Sequence, residues 1–264
     1  SMSVLRRGAG APLLMVHGSG VDHRLLLPLD PVFEHASTWE RIYVDLPGFG
    51  STRPLPPPGG LVQLAQWLNA AVDTLIGDRR FAIVANSLGG LLARELAARR
   101  PAQVAALALL APVVRPEAGL RRLPPREVVE IDQGLIDSLD ADSAAAFCDM
   151  AVVQTGDGWQ RFRTSALPGI RAADQRAAAR LEKRYTLPGA PPEDRFGAFA
   201  GPALVITGRQ DHVVGYADQL SLMDSYPNGT FVVLNRAGHN VHLEQPRSVR
   251  ALLAAWQAEA AGTC

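Results

Sequence analysis

A serine, an aspartate and a histidine stand in this chain where short apolar runs give way to turns. Ser87 is the apex of FAIVANSLGG at 81–90, an apolar strand that passes through a sharp turn into a helix, the pattern of a nucleophile elbow. The later runs GRQD at 208–211 and GH at 238–239 add an acid, Asp211, and a base, His239. A serine hydroxyl is a poor nucleophile until a base takes its proton, and an imidazole, with an ordinary pKa of about 6.5, can do so near neutral pH. Attack on a carbonyl then places negative charge on its oxygen, which fixed backbone N–H groups stabilise. The N–H of Leu88, at the start of the elbow helix, is one such donor. This chemistry needs neither a metal nor an organic cofactor. Each residue alone has a plainer reading: a serine at a strand-to-helix turn caps the helix, and an aspartate near a glycine shapes a turn.

The elements that must bring these groups together are legible as alternating short apolar runs and longer helical patterns, the mark of βαβ units and a mostly parallel sheet. Residues 13–16, 41–44, 81–85, 104–111, 203–207 and 230–234 read as strands. Apolar residues at three- and four-residue spacing predict helices over 61–76, 88–99 and 217–225, and 246–260 reads as a closing helix with proline at its start. The rhythm breaks over 112–200, where alanine- and arginine-rich helical stretches are punctuated by prolines and no strand is expected.

Taken in order, these runs resemble the α/β-hydrolase fold over nearly the whole chain. HGSG at 17–20 follows the first clear strand and DLPGFGST at 45–52 the second; then come the serine elbow, the acid after a late strand and the histidine before the last helix. The resemblance implies an α/β protein with a mostly parallel, doubly wound sheet, its core formed by 1–111 and 201–264 and a helical cap inserted at 112–200. It implies that Asp211 holds the imidazole of His239 in the right tautomer, and that the N–H of Ser19 joins that of Leu88 in an oxyanion hole. One departure stands in the elbow. The usual form is GxSxG, and here Ala85 replaces the first glycine while Gly89 keeps the second. Ser87 is expected to sit in a strained backbone conformation held by its neighbours.

A serine at position 87 argues against the dehalogenases and epoxide hydrolases of this family, which use an aspartate there. Esters, thioesters, lactones and amides remain as substrates, an ester or lactone with a small, largely neutral or apolar carbonyl partner foremost. NSLGG is also similar to the NSMGG of the family's carbon–carbon hydrolases, which carry tryptophan directly after the catalytic histidine where this chain has Asn240. A ligand-binding protein without turnover is the third reading. Met150, Trp159, Phe162 and Tyr185 are candidates to line the cleft, or equally to fill the cap's own core. Arg161 and Arg163 could meet a carboxylate, though solvated arginines are commoner.

Other polar residues point to structure. Asp45 ends a strand and opens a glycine-rich turn, His17 reads as a scaffold hydrogen bonder, and His212 stands beside the acid. His239 and His242 are spaced like a metal pair, but no third ligand cluster accompanies them, so no metal is expected. The 26 basic and 26 acidic side chains cancel, Lys183 is the lone lysine, and no basic stripe suggests nucleic acid. The longest apolar run, 104–114, is too short to cross a bilayer and no leader opens the sequence; with two cysteines far apart, a reducing cytoplasm is the expected setting.

Overall fold

The computed structural model describes residues 1–34 and 38–264. In chain order the strands are β1 (Val4–Arg7), β2 (Ala11–Val16), β3 (Trp39–Val44), β4 (Phe81–Asn86), β5 (Val104–Leu110), β6 (Glu130–Ile131), β7 (Val153–Gln154), β8 (Ala203–Gly208) and β9 (Gly229–Leu234). The helices are α1 (Asp30–Glu34), α2 (Leu61–Leu75), α3 (Leu88–Arg99), α4 (Gln133–Ser138), α5 (Ala141–Met150), α6 (Gly156–Ser165), α7 (Leu167–Ala172), α8 (Gln175–Lys183), α9 (Pro192–Phe196), α10 (Ala217–Leu220), α11 (Val241–Glu244) and α12 (Pro246–Ala260). A seven-stranded sheet runs in the order β1-β3-β2-β4-β5-β8-β9, parallel except for β1, which pairs antiparallel with β3 at the edge.

The sheet is buried on both faces because helices cover both, as a parallel sheet requires. Leu14 and Val16 of β2 point to one side, with Leu68 of α2 and Leu92 of α3; Leu13 and Met15 point to the other, with Leu253 and Trp256 of α12. The chain leaves β2 toward β3 on one side and returns to β4 on the other, so the sheet reverses its winding between β2 and β4. Ligands of such sheets collect beyond the carboxyl ends of the strands at that switch point. The runs beginning at His17 and Ser87 are the segments that emerge there.

Between the adjacent strands β5 and β8 the chain makes a long excursion carrying α4 to α9. Its core is aromatic: Phe147, Trp159 and Phe162 pack with Leu167 and reach Val21, Leu25 and Leu243 of the rest of the chain. Where no strand was expected, β6 and β7 form a two-residue parallel pair, Glu130 opposite Val153 and Ile131 opposite Gln154. Pieces this short carry no periodicity. The edge strand β1, VLRR, was missed for the same reason. No helix of the described residues is long and apolar enough to cross a membrane.

Candidate active site

Ser87 occupies the turn between β4 and α3 with φ 53° and ψ −117°, a left-handed conformation that a residue with a side chain adopts only where its surroundings compel it. The surroundings are specific. The N–H of Ser87 donates to the carbonyl of Leu110 on β5 (3.0 Å), and its own carbonyl accepts from Gly90 (2.9 Å) and Val113 (3.0 Å). Gly89 must be glycine: a Cβ there would lie 2.3 Å from the carbonyl oxygen of Val16 and 2.6 Å from that of His17. Ala85, which departs from the usual pattern, is fully buried in β4, so its methyl is accommodated inside the sheet.

The HGSG loop comes close because Gly18 lacks a side chain; a Cβ there would meet the Ser87 Cβ at 3.0 Å. His17 beneath it is a scaffold residue. Its Nδ1–H donates to the Gly18 carbonyl (2.6 Å), its Nε2 accepts from the Leu46 N–H (2.9 Å), and burial pushes its pKa down, so the ring stays neutral. The N–H of Leu88 is the first of α3 and has no acceptor within the helix.

Asp211 and His239 meet on the other side. The carboxylate of Asp211 is fully buried; its Oδ1 accepts from the N–H groups of Val213 (2.8 Å) and Val214 (3.0 Å), and its Oδ2 accepts from His239 Nδ1 at 3.0 Å. With the proton on Nδ1, Nε2 keeps its lone pair. Two devices bring the loops together. Gly208 lets the acid strand approach the base loop, since a Cβ there would stand 2.2 Å from the Gly238 oxygen. Gln210 then bonds Ala237 twice, backbone N–H to carbonyl (2.9 Å) and side-chain oxygen to N–H (3.2 Å).

Ser87 and His239 open onto one cleft with two lobes, of about 600 and 320 Å³, which share Ser19, Ser87, Met150, Ala178 and His239. The larger lobe adds Val113, Arg121, Leu181 and Tyr185; the smaller adds Val21, Leu25, Ile170 and Asn240. Of the aromatic candidates, Trp159 and Phe162 are not on the wall of either lobe. Their ring centroids lie 5.4 and 5.3 Å from that of Phe147, and they form the core of the segment between β5 and β8, because three rings bury more apolar area against each other than against an open cleft. Arg161 donates to the Leu243 carbonyl and Arg163 to Gln160, neither into the cleft. Tyr185 lies on the cleft wall, where burial pushes its hydroxyl pKa up. Val113, Val213 and Val214 carried no chemical signal in the sequence; their position after strand ends was the available clue, whereas Asn240 stood out only by following His239.

Asp45 accepts from the N–H of His23 (3.0 Å), the His23 ring (2.7 Å) and the N–H of Ser51 (3.1 Å), which together hold its carboxyl well below the usual range against its burial. Asp22, His23 and Asp45 are the residues whose ligand atoms cluster within 4.8 Å among the described residues. Those atoms are engaged already, Asp22 on Arg24 and Asp45 on His23 and Ser51, so no open donor set faces a metal. His242 donates to the Leu25 carbonyl (2.9 Å) and burial lowers its pKa to about 4, which keeps it neutral and structural.

Comparison with known proteins agrees with this architecture. A family model for the alpha/beta hydrolase fold matches residues 11–246. The chain is 28% identical over 265 residues to a 2-hydroxymuconate semialdehyde hydrolase of Pseudomonas putida, covering 96% of this chain and 89% of that protein. It is 26% identical over 253 residues to a pimeloyl-[acyl-carrier protein] methyl ester esterase of Aeromonas hydrophila, covering 94% and 95%. The crystal structure of an alpha/beta superfamily hydrolase from Oenococcus oeni superposes with a TM-score of 0.89 at 27% identity, covering 98% of this chain and 96% of that one. With its seven-stranded, mostly parallel sheet and a family match over most of its length, this chain belongs to the α/β-hydrolase fold family and is a hydrolase.

Proposed function

We propose that the protein hydrolyses a carboxylic ester or lactone by acyl transfer through Ser87, His239 and Asp211. The observation that carries the reading is that Ser87, held at a strained apex, and His239, whose Nδ1 is engaged by a buried carboxylate, line one and the same cleft. Ser87, deprotonated by His239, attacks the carbonyl; the N–H groups of Ser19 and Leu88 receive the oxyanion; His239 protonates the leaving group, and water repeats the cycle. Segment 112–200 acts as a cap, with Met150 reaching the shared centre of both lobes. The enzyme works on a small molecule in the cytoplasm, in keeping with its two free cysteines.

A fluorophosphonate probe is expected to add its mass to the peptide carrying Ser87, and the protein to turn over short activated esters, with Ser87→Ala losing both. An unlabelled protein without turnover across an ester panel sinks the reading. Carbon–carbon cleavage is the second reading, favoured by the full-length likeness to a 2-hydroxymuconate semialdehyde hydrolase and opposed by Asn240. A preference of orders of magnitude for a vinylogous diketone over esters decides for it.

A further inference from the structure

Resting on that reading, one carboxylate outside the catalytic trio links the base to the cap. Glu244 closes the short helix α11, five residues after His239. Its Oε2 accepts from the N–H of Gly238 at 2.6 Å, the residue directly before the base. Its Oε1 accepts from the N–H groups of Val152 at 2.7 Å and Val153 at 3.1 Å, where the chain leaves α5 and enters β7. The two oxygens thus face different parts of the molecule. The same stretch, two residues earlier, holds Met150 on the wall of both lobes. It also touches the acid loop, since the ring Nε2 of His212 lies 2.8 Å from the Asp149 carbonyl.

The contact is close-fitting. A Cβ on Gly238 would stand 3.0 Å from Val152 Cγ1 and 3.3 Å from Glu244 Oε2, so a side chain there would press on both the carboxylate and the cap. A tie made only of charge-assisted bonds to backbone N–H groups is geometric: it fixes main-chain positions, whatever side chains they bear.

We propose that Glu244 is a positioning residue whose ionised carboxylate straps the loop bearing His239 to the cap at Val152 and Val153, so that base and cleft wall are set together. Protonation of either oxygen turns an acceptor into a donor facing an N–H and loosens one end of the strap. Burial pushes this carboxyl up to about 7 against the pull of its three N–H donors, so the strap changes state near neutral pH. The charged and titratable groups about it are Asp211 behind β8, whose charge also opposes ionisation; His239, next to Gly238; His242 on α11 itself; and Arg161 of α6, which donates to the neighbouring Leu243 carbonyl. Turnover is therefore tied to the ionisation state of Glu244, a group outside the proposed trio.

The test reads the backbone and the reaction side by side in the wild-type protein, Glu244→Gln, Glu244→Asp and Ser87→Ala. In ¹H–¹⁵N spectra the amides of Gly238, Val152 and Val153 are expected to shift together with one midpoint near 7 in the wild type and in Ser87→Ala. Those of Val152 and Val153, which bond Glu244 and not the loop of His239, are expected to stay fixed in Glu244→Gln. At alkaline pH that variant is expected to lose about ten- to a hundredfold in kcat, as for a misplaced base, and to lack the limb of the kcat profile with that midpoint. Glu244→Asp, with the charge but a shorter reach, recovers part of the limb. Val152 and Val153 amides that titrate independently of each other or still titrate in Glu244→Gln, or a Glu244→Gln profile matching the wild type at every pH, overturn the strap alone. Ester turnover surviving in Ser87→Ala overturns the acyl-transfer reading and the positioning role with it.

Discussion

Replacing Asp211 with asparagine tests the acid's role at nearly constant shape. The carboxylate spends one oxygen on the N–H groups of Val213 (2.8 Å) and Val214 (3.0 Å) and the other on His239 Nδ1 (3.0 Å). A carboxamide has one oxygen and one NH2, and it must choose. Leaving its oxygen with the two valine N–H groups satisfies both but aims the NH2 at the imidazole. Nδ1 must then accept, the proton moves to Nε2, and the ring is no longer a base toward Ser87. Flipping restores the tautomer but strips the two N–H groups of their acceptor, at about 1–3 kcal/mol each.

At the lower bound of about 2 kcal/mol, only about one molecule in thirty holds the productive orientation. The loss in kcat for Asp211→Asn is therefore at least about thirtyfold, rising toward the ~10⁴-fold that a wrong tautomer costs in serine proteases. The assay is kcat at saturating activated ester, beside a melting curve. Asparagine should leave the fold nearly as stable as the wild type, whereas Asp211→Ala should lower stability too, because no oxygen remains for Val213 and Val214. A variant folded like the wild type with kcat within tenfold of it refutes the orienting role and the tautomer argument together.

Gly89→Ala, which would force a methyl to within 2.3 Å of the Val16 carbonyl oxygen, is expected to destabilise by at least about 1–3 kcal/mol and to lower Ser87 labelling, read by urea denaturation and probe mass shift. A soluble, fully labelled variant counts against the close approach of α3 to β2. Trp159→Ala and Phe162→Ala are expected to lower stability by about 3–5 kcal/mol while changing KM little for the fraction that stays folded, since both rings belong to the Phe147 cluster and not to the cleft. A large KM change without loss of stability returns them to the substrate.

How far the sequence reached follows from what kind of signal each feature leaves. Strands β2, β4, β5 and β8 are buried on both faces and read as apolar runs, and α3 and α12 have the limits their periodicity predicted. The turn at Ser87 was legible because a polar residue between a buried strand and a helix leaves a local pattern. Cleft lining leaves none. Met150 and Trp159 stand nine residues apart, both apolar and both between β5 and β8, yet one lines the cleft beside Ser87 and the other packs on a neighbouring ring. That choice depends on how α5 and α6 pack, and no run of residues encodes it. Glu244 escaped notice for a related reason: its partners are backbone N–H groups, which every sequence has, so only folding marks it out.

Glu244 also bears on stability, with a sign opposite to that of most native carboxylates. Its folded pKa of about 7 lies above the ordinary 4.5, so the native state holds the proton more tightly than the unfolded chain. The contribution of this one group to stability is then greatest below about pH 4.5, falls as pH rises toward 7, and is level beyond, the descent amounting to about 3 kcal/mol at about 1.4 kcal/mol per pH unit. Glutamine carries no such ionisation. Glu244→Gln is therefore expected to match the wild type near pH 5 and to melt several degrees higher near pH 8, where it is the poorer catalyst. Parallel wild-type and variant melting curves across that range would remove the basis for this account. A carboxylate that lowers stability is explained by the tie it makes, because its three acceptor contacts join the N–H of Gly238 to those of Val152 and Val153.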